Sequence, residues 1–409
     1  MYILATDRIV VGDGKEIYLN QALLINEGKI EEIDVLEKLT NQFAGVPVKI
    51  FNDCTILPGF IDVHVHLGSL YQRPDANEMS NNLGHITLMA YKHLQDALSV
   101  GITSLRGVGE PKGLGEAIRA GYHKGYINGP RYYTCERSIT ITGGHGSTGA
   151  ITKVEIDGPW QARQAVRQNI KEGADWIKVM NSHRSHHSEF TLEELKAITD
   201  ECHRLGKKCC IHAGTEQSIE YAIEAGFDTL EHAAFLTEEL ANRAISKNIK
   251  WVPTAFVYQN AIDQMKKVYR HSTPESRKDI EFLEQTVEGY HKNLLRNYKN
   301  GILIATGTDI CFPNMFITPI QDEIETLCRF GLSNLQAIEC ATGNGAKLLD
   351  ADKSFGFIKK GMEADIIVVF GDPTTDISSL RNIKEVYKSG KLLHSSNNHA
   401  NHSGGYKLC

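Results

Sequence analysis

The sequence predicts an α/β fold: a (β/α)8 TIM barrel joined to a small β-sandwich domain built from both chain ends. Three observations carry this expectation. Eight short apolar runs recur through the middle of the 409-residue chain, each followed by a helical pattern. β-rich runs separated by turns fill the first 57 residues and return near the end. No GxGxxG follows a first strand, which weighs against the runner-up, an open doubly wound sheet.

In order along the chain, Met1–Leu4, Ala22–Asn26, Lys29–Ile33 and Val46–Phe51 read as strands. Gly12-Asp13-Gly14 and Glu27-Gly28 mark turns between them. The same texture recurs at Ala364–Phe370 and Ile383–Leu393. Chain ends often lie close together, so residues 1–57 and 358–409 are expected to form one β domain, with 58–357 as the barrel. The eight barrel runs are Gly59–His66, Gly101–Gly107, Arg131–Cys135, Trp176–Met180, Lys208–His212, Thr229–His232, Lys250–Pro253 and Ile302–Thr306. Between the fourth and fifth, Thr191 and Glu194 form a capping box. Leu192, Leu195, Ile198 and Cys202 then share one helix face, and Gly206 stops the helix. Ala255–Asn300, with the charged helical stretch Pro274–Lys299, exceeds ordinary loop length. It is expected either to cover the barrel mouth or to form a surface helix hairpin or an oligomer contact. The polar tail Ser395–Lys407 reads as solvated.

Composition excludes several functions. A net charge of −6 offers no basic field for nucleic acid. No apolar run approaches the roughly 18–20 residues of a membrane helix, so no membrane partner is expected. Asp7 and Arg8 come too early for a signal-peptide core. Nine cysteines, an odd and unpatterned set, read as reduced thiols in a cytoplasmic protein. No CxxC occurs, so no cysteine-built zinc site is expected.

Histidine carries the chemistry. His64 and His66 alternate along one predicted strand and so share a face, where two imidazoles can hold one metal ion. Lys178, His212, His232 and Asp309 each fall at the end of another predicted strand, on the rim where barrel active sites lie. Lys178 is the oddest member, because an unpaired lysine in an apolar strand costs several kcal/mol or loses its proton. A neutral lysine amine can add carbon dioxide to form a carbamate, an anion able to bridge two metals. The competing reading is a plain lysine paired with Asp309 at a one-metal site.

This set resembles the amidohydrolase superfamily, over nearly the whole chain. The likeness rests on LPGFIDVHVH (Leu57–His66), ATGNGAKLLD (Ala341–Asp350) and GFIKKGMEADIIVV (Gly356–Val369). More narrowly, TGGHG (Thr142–Gly146), LEHA (Leu230–Ala233) and the VPT-to-Tyr258 spacing are similar to the imidazolonepropionase-related group. That group includes prolidase-like dipeptidases and carboxypeptidases acting on Xaa-amino-acid amides. The resemblance implies two Zn2+ per chain: His64, His66 and Asp309 on one, His212 and His232 on the other, with carboxylated Lys178 between them. It implies that a zinc-bridging hydroxide attacks an amide carbonyl while Asp309 shuttles the proton. His145 is expected to polarise the carbonyl or hold a substrate carboxylate, Tyr258 to donate to the developing oxyanion, and Arg184 to receive a carboxylate. Quieter roles compete for each: a loop histidine, a packed core tyrosine, a solvated arginine. Asp309-Ile310-Cys311 departs from the Asp-x-Gly texture of relatives, which leaves the pocket shape open.

The leading function is hydrolysis of a carboxamide in a small-molecule substrate, a dipeptide or N-acyl amino acid. The alternative is a mononuclear cyclic-amide hydrolase or deaminase of the imidazolonepropionase type. A non-catalytic scaffold ranks last, because no ligand is missing. Relatives often assemble, so a homo-oligomer is expected.

Overall fold

The computed structural model describes residues 1–67, 82–146, 151–182, 187–268, 274–309 and 320–396. The two chain ends share one seven-stranded sheet. Its strands are β1 (Tyr2–Val10), β2 (Ile17–Asn26), β3 (Lys29–Asp34), β4 (Val48–Pro58), and from the other end β14 (Ile366–Phe370), β15 (Ile383–Lys388) and β16 (Lys391–Ser395), in the order β16-β15-β14-β4-β1-β2-β3. β4 joins the two halves, pairing parallel with β1 and antiparallel with β14. Glu27 and Gly28, both with positive φ, close the β2–β3 hairpin as a two-residue turn. Alternation buries both faces. Leu4, Leu23, Ile25, Ile56, Ile366 and Val368 form one apolar cluster, while Ile3, Ala5, Ala22 and Leu24 pack with Leu39 of the helix Leu36–Gln42. Leu57, Ile367 and Val369 join the main core and fasten this sheet to the rest.

The middle of the chain is built on parallel strands. β5 (Phe60–Val65), β6 (Ile102–Gly107) and β7 (Arg131–Thr134) form one sheet. β8 (Ser138–Ile141), β9 (Lys153–Ile156), β10 (Trp176–Met180), β11 (Lys208–Ala213), β12 (Thr229–His232) and β13 (Lys250–Val252) form another, in the order β13-β12-β11-β10-β8-β9. Further backbone hydrogen bonds link their edges. Asp175 N–H donates to Thr134 O between β7 and β10. Trp251 and Leu303, then Val63 and Thr306, tie β13 through residues 302–306 back to β5.

Seven of the eight expected runs are strands, whereas Ile302–Thr306 is not one and joins its neighbours through the bridge Trp251↔Ile304 and single backbone hydrogen bonds. β8 and β9 were not expected, and TGGHG follows β8. Ile383–Leu393 is two strands turned at Ser389-Gly390. Thr191 and Glu194 form the capping box of Leu192–Arg204, which buries Leu195, Ile198 and Cys202. Ala255–Asn300 contains two helices, Ala255–Val268 and Pro274–Lys299. The second packs inward: Tyr290 donates to Pro253 O, Asn293 to Ala234 O and Asn297 to Leu236 O. No helix among the described residues is long and apolar enough to cross a membrane. The seven described cysteines are all free.

Candidate active site

At the C-terminal ends of the parallel strands the structure brings His64, His66, Lys178, His212, His232 and Asp309 together. Asp309 Oδ1 lies 3.2 Å from His66 Nε2 and 3.6 Å from His64 Nε2, and its Oδ2 lies 4.0 Å from His232 Nδ1. Lys178 Nζ, fully buried, is 3.5 Å from His64 Nε2. The His212 ring stands 4.3 Å from that of His232 and 4.4 Å from that of His145. Tyr258, on the helix Ala255–Val268, stands edge-to-face with His232, ring centres 5.7 Å apart, and packs on Tyr290. It is therefore both core and site. Arg184, with His183 and His186, lies outside the described residues.

Alternation explains Lys178. Trp176 and Lys178 share a face of β10, the first under the Arg106 guanidinium and the second beside His64. It does not explain His232, which follows the inward-facing Glu231 and would point away. Positive φ at His232 and Ala233 turns the imidazole back among the others. Thr254 and Asp309 also hold positive φ, and Thr254 bonds His232 Nδ1 at 2.6 Å. Left-handed backbone at three site residues, one of them β-branched, is strain held by the surrounding packing.

Sequence reasoning missed the layer beneath. Glu231 is fully buried, accepting from Arg106 Nη2 at 2.9 Å and meeting His64 Nδ1 at 2.6 Å. Arg106 also donates to Val63 O. Burial opposes its charge, but Glu231 and the other neighbours together outweigh burial and hold the guanidinium above its usual range. Asp62 accepts from the His64 and Thr308 backbone amides, and burial pushes its carboxyl up to about 7. Lys153 on β9 enters the same region, its pKa lowered to about 8 by burial and then by Lys178. The available signal was a lone ionic residue inside an apolar run, as in ITSLRG and TLEH.

Gly307 is required by close approach. A methyl there would sit 2.5 Å from His64 Cβ and 2.7 Å from Val252 Cγ1. Gly307→Ala is expected to cost about 1–3 kcal/mol through overpacking. Thermal unfolding is the check, and an unchanged Tm would show that the strands part there without strain.

The donor set suits a metal. Burial, then Lys178, holds the His64 imidazole well below its usual range, and burial lowers His66 too. Burial would raise the Asp309 carboxyl, but His64, His66 and His232 outweigh it and hold it well below. Neutral imidazoles and a carboxylate are the ligand forms. His64, His66 and Asp309 offer ligand atoms within 4.8 Å of one another. The buried His66 Nδ1 has no hydrogen-bond partner among the described residues. With Nδ1 on Glu231, His64 turns Nε2 to the site, the carboxylate–histidine arrangement that orients metal ligands.

Imidazoles, carboxylates and a lysine converging at the ends of parallel strands are the equipment of a hydrolase. The chain belongs to the amidohydrolase family, whose profile matches residues 55–393. Its likenesses include proteins of the prolidase-like group. Ochratoxinase from Aspergillus niger is 27% identical over 435 aligned positions, spanning 96% of this chain and 86% of that protein. A solved Xaa-Pro dipeptidase with methionine in its active site superimposes with a TM-score of 0.86 at 26% identity, covering 96% of this chain and 100% of the other. Imidazolonepropionase from Picrophilus torridus is 20% identical, covering 92% of each chain.

Proposed function

We propose that this chain hydrolyses the carboxamide bond of a dipeptide or N-acyl amino acid at a site for two Zn2+. The observation that carries this reading is the buried Lys178 amine, 3.5 Å from His64 Nε2 in a ring of imidazoles around Asp309. His64, His66 and Asp309 would hold one ion, His212 and His232 the other, and a carboxylated Lys178 would join them. When bound, the ions would supply Lewis acidity toward the carbonyl and lower the pKa of water. Asp309 accepts a proton at its carboxylate and returns it to the leaving nitrogen. His145, against His212, and Tyr258, against His232, flank the reacting carbonyl and supply hydrogen bonds to it as charge develops. The names of the relatives support the substrate class, since ochratoxinase and an Xaa-Pro dipeptidase are among them. The same reading takes residues 58–357 as a (β/α)8 barrel, on the strength of the hydrogen bonds that lead from β5 round to β13 and back. It takes 1–57 and 358–409 as one β-sandwich domain, and what supports a shared domain is the seven-stranded sheet that both chain ends build.

A screen of Xaa-Xaa dipeptides and N-acyl amino acids on zinc-loaded protein, with metal analysis of the same sample, tests the proposal. Two equivalents of zinc and cleavage of at least one amide are expected. One equivalent with an unmodified Lys178 would overturn the two-metal reading and favour the imidazolonepropionase-like alternative.

A further inference from the structure

At the opposite end of the same strands a second group of ligand side chains converges. His203 comes from the last turn of Leu192–Arg204, Cys209 from the start of β11, and Asp228 from just before β12. Their ligand atoms lie within 4.8 Å of one another. Asp228 Oδ2 stands 3.0 Å from His203 Nε2 and 3.7 Å from Cys209 Sγ. It also accepts the Cys209 backbone N–H at 2.8 Å, which fixes the carboxylate. We propose that His203, Cys209 and Asp228 form a cation site of their own, for a thiophilic divalent ion such as Zn2+, that clamps this helix to the two strands.

The geometry suits that ion. Zinc bonds of about 2.0–2.3 Å in a tetrahedron put neighbouring donors roughly 3.3–3.8 Å apart. The distances of 3.0 and 3.7 Å reach that spacing with a small adjustment. Nitrogen, sulfur and oxygen from three elements are donors zinc accepts. His203 is 45% exposed along its side chain, which gives an ion an entry path and leaves a coordination position to water.

The rival use of these groups is a His203–Asp228 ion pair beside an inert thiol. In that use His203 holds a proton, which a cation must displace. The Cys209 sulfur and then Asp228 raise the His203 imidazole to about 9 against the effect of burial. Lys250 also faces Asp228 and opposes a cation. Burial, followed by the neighbouring Cys202 thiol, pushes the Cys209 thiol well above its usual range. Cys209 is thus no nucleophile, and a bound cation is what would draw out its thiolate. Because the three residues come from separate elements without a CxxC, the sequence carries no signature of them.

Cobalt(II) titration of the full-length protein tests the site. Among the described residues the candidate active site offers no sulfur ligand, so a thiolate-to-cobalt charge-transfer absorption that is lost in Cys209→Ser reports this site whatever the fate of the catalytic proposal. The band is expected in the wild type and absent in Cys209→Ser. In His203→Gln, at a half-exposed position that tolerates change, the cobalt affinity should fall at least about tenfold. The His203 variant decides the matter if the buried serine prevents folding. No band in the wild type, a band that survives Cys209→Ser, or unchanged affinity in His203→Gln would each overturn the proposal.

Discussion

Replacing Asp309 by Asn is expected to leave the fold intact and to cut turnover by about 10²–10⁴-fold in fully metallated protein. Asn matches the shape of Asp and tolerates the positive φ of 46° that position 309 requires. The backbone bond from Asp309 N to His64 O is untouched. The carboxylate that faces His64, His66 and His232 is lost, and with it a proton acceptor. Steady-state kinetics on the best amide substrate, with metal content measured on the same sample, is the check. Near wild-type kcat in a metallated variant would place the proton transfer on another residue. A loss of activity explained wholly by lost metal would make Asp309 a ligand and nothing more.

The rim was legible in the sequence because its members stand out chemically: imidazoles, a lysine and an aspartate at the ends of apolar runs. Two-residue alternation was enough to bring His64 and His66 to one carboxylate. It was not enough for His232, whose orientation depends on backbone dihedrals that no pattern encodes. Glu231 and Arg106 went unread for another reason. Each is isolated in its own strand, and they meet only because strands 125 residues apart face the same interior. β8 went unread because it runs into the glycine-rich TGGHG rather than into a helical pattern, the mark by which the other runs were found. In the sheet shared by the two chain ends the turns were visible through Gly12, Gly14 and Gly28, but the pairing of β4 with both β1 and β14 is a long-range fact.

Glu231→Gln is expected to weaken metal binding about 10–100-fold and to destabilise the protein by about 3–5 kcal/mol. The substitution is nearly isosteric, so packing is not the cause. Arg106 only donates, and its Nη2 points at Glu231 Oε1. A glutamine must therefore turn its single oxygen to Arg106 and its NH2 to His64 Nδ1, 2.6 Å away in the native structure. Two donors then meet unless His64 changes tautomer. The native pairing puts the proton on Nδ1 and leaves Nε2 open to a metal, whereas the variant moves the proton to Nε2 and blocks it. The stability term is separate. Both members of the Arg106–Glu231 pair have fully buried side chains, and removing one charge leaves the other uncompensated. Arg106→Lys divides the two effects: it keeps the Glu231 carboxylate on His64 but gives up the guanidinium's further bond to Val63 O, so Tm should fall while metal affinity holds. Thermal unfolding of metal-free protein and zinc titration of each variant are the measurements. Undiminished zinc affinity in Glu231→Gln would mean that His64 is oriented by something other than Glu231.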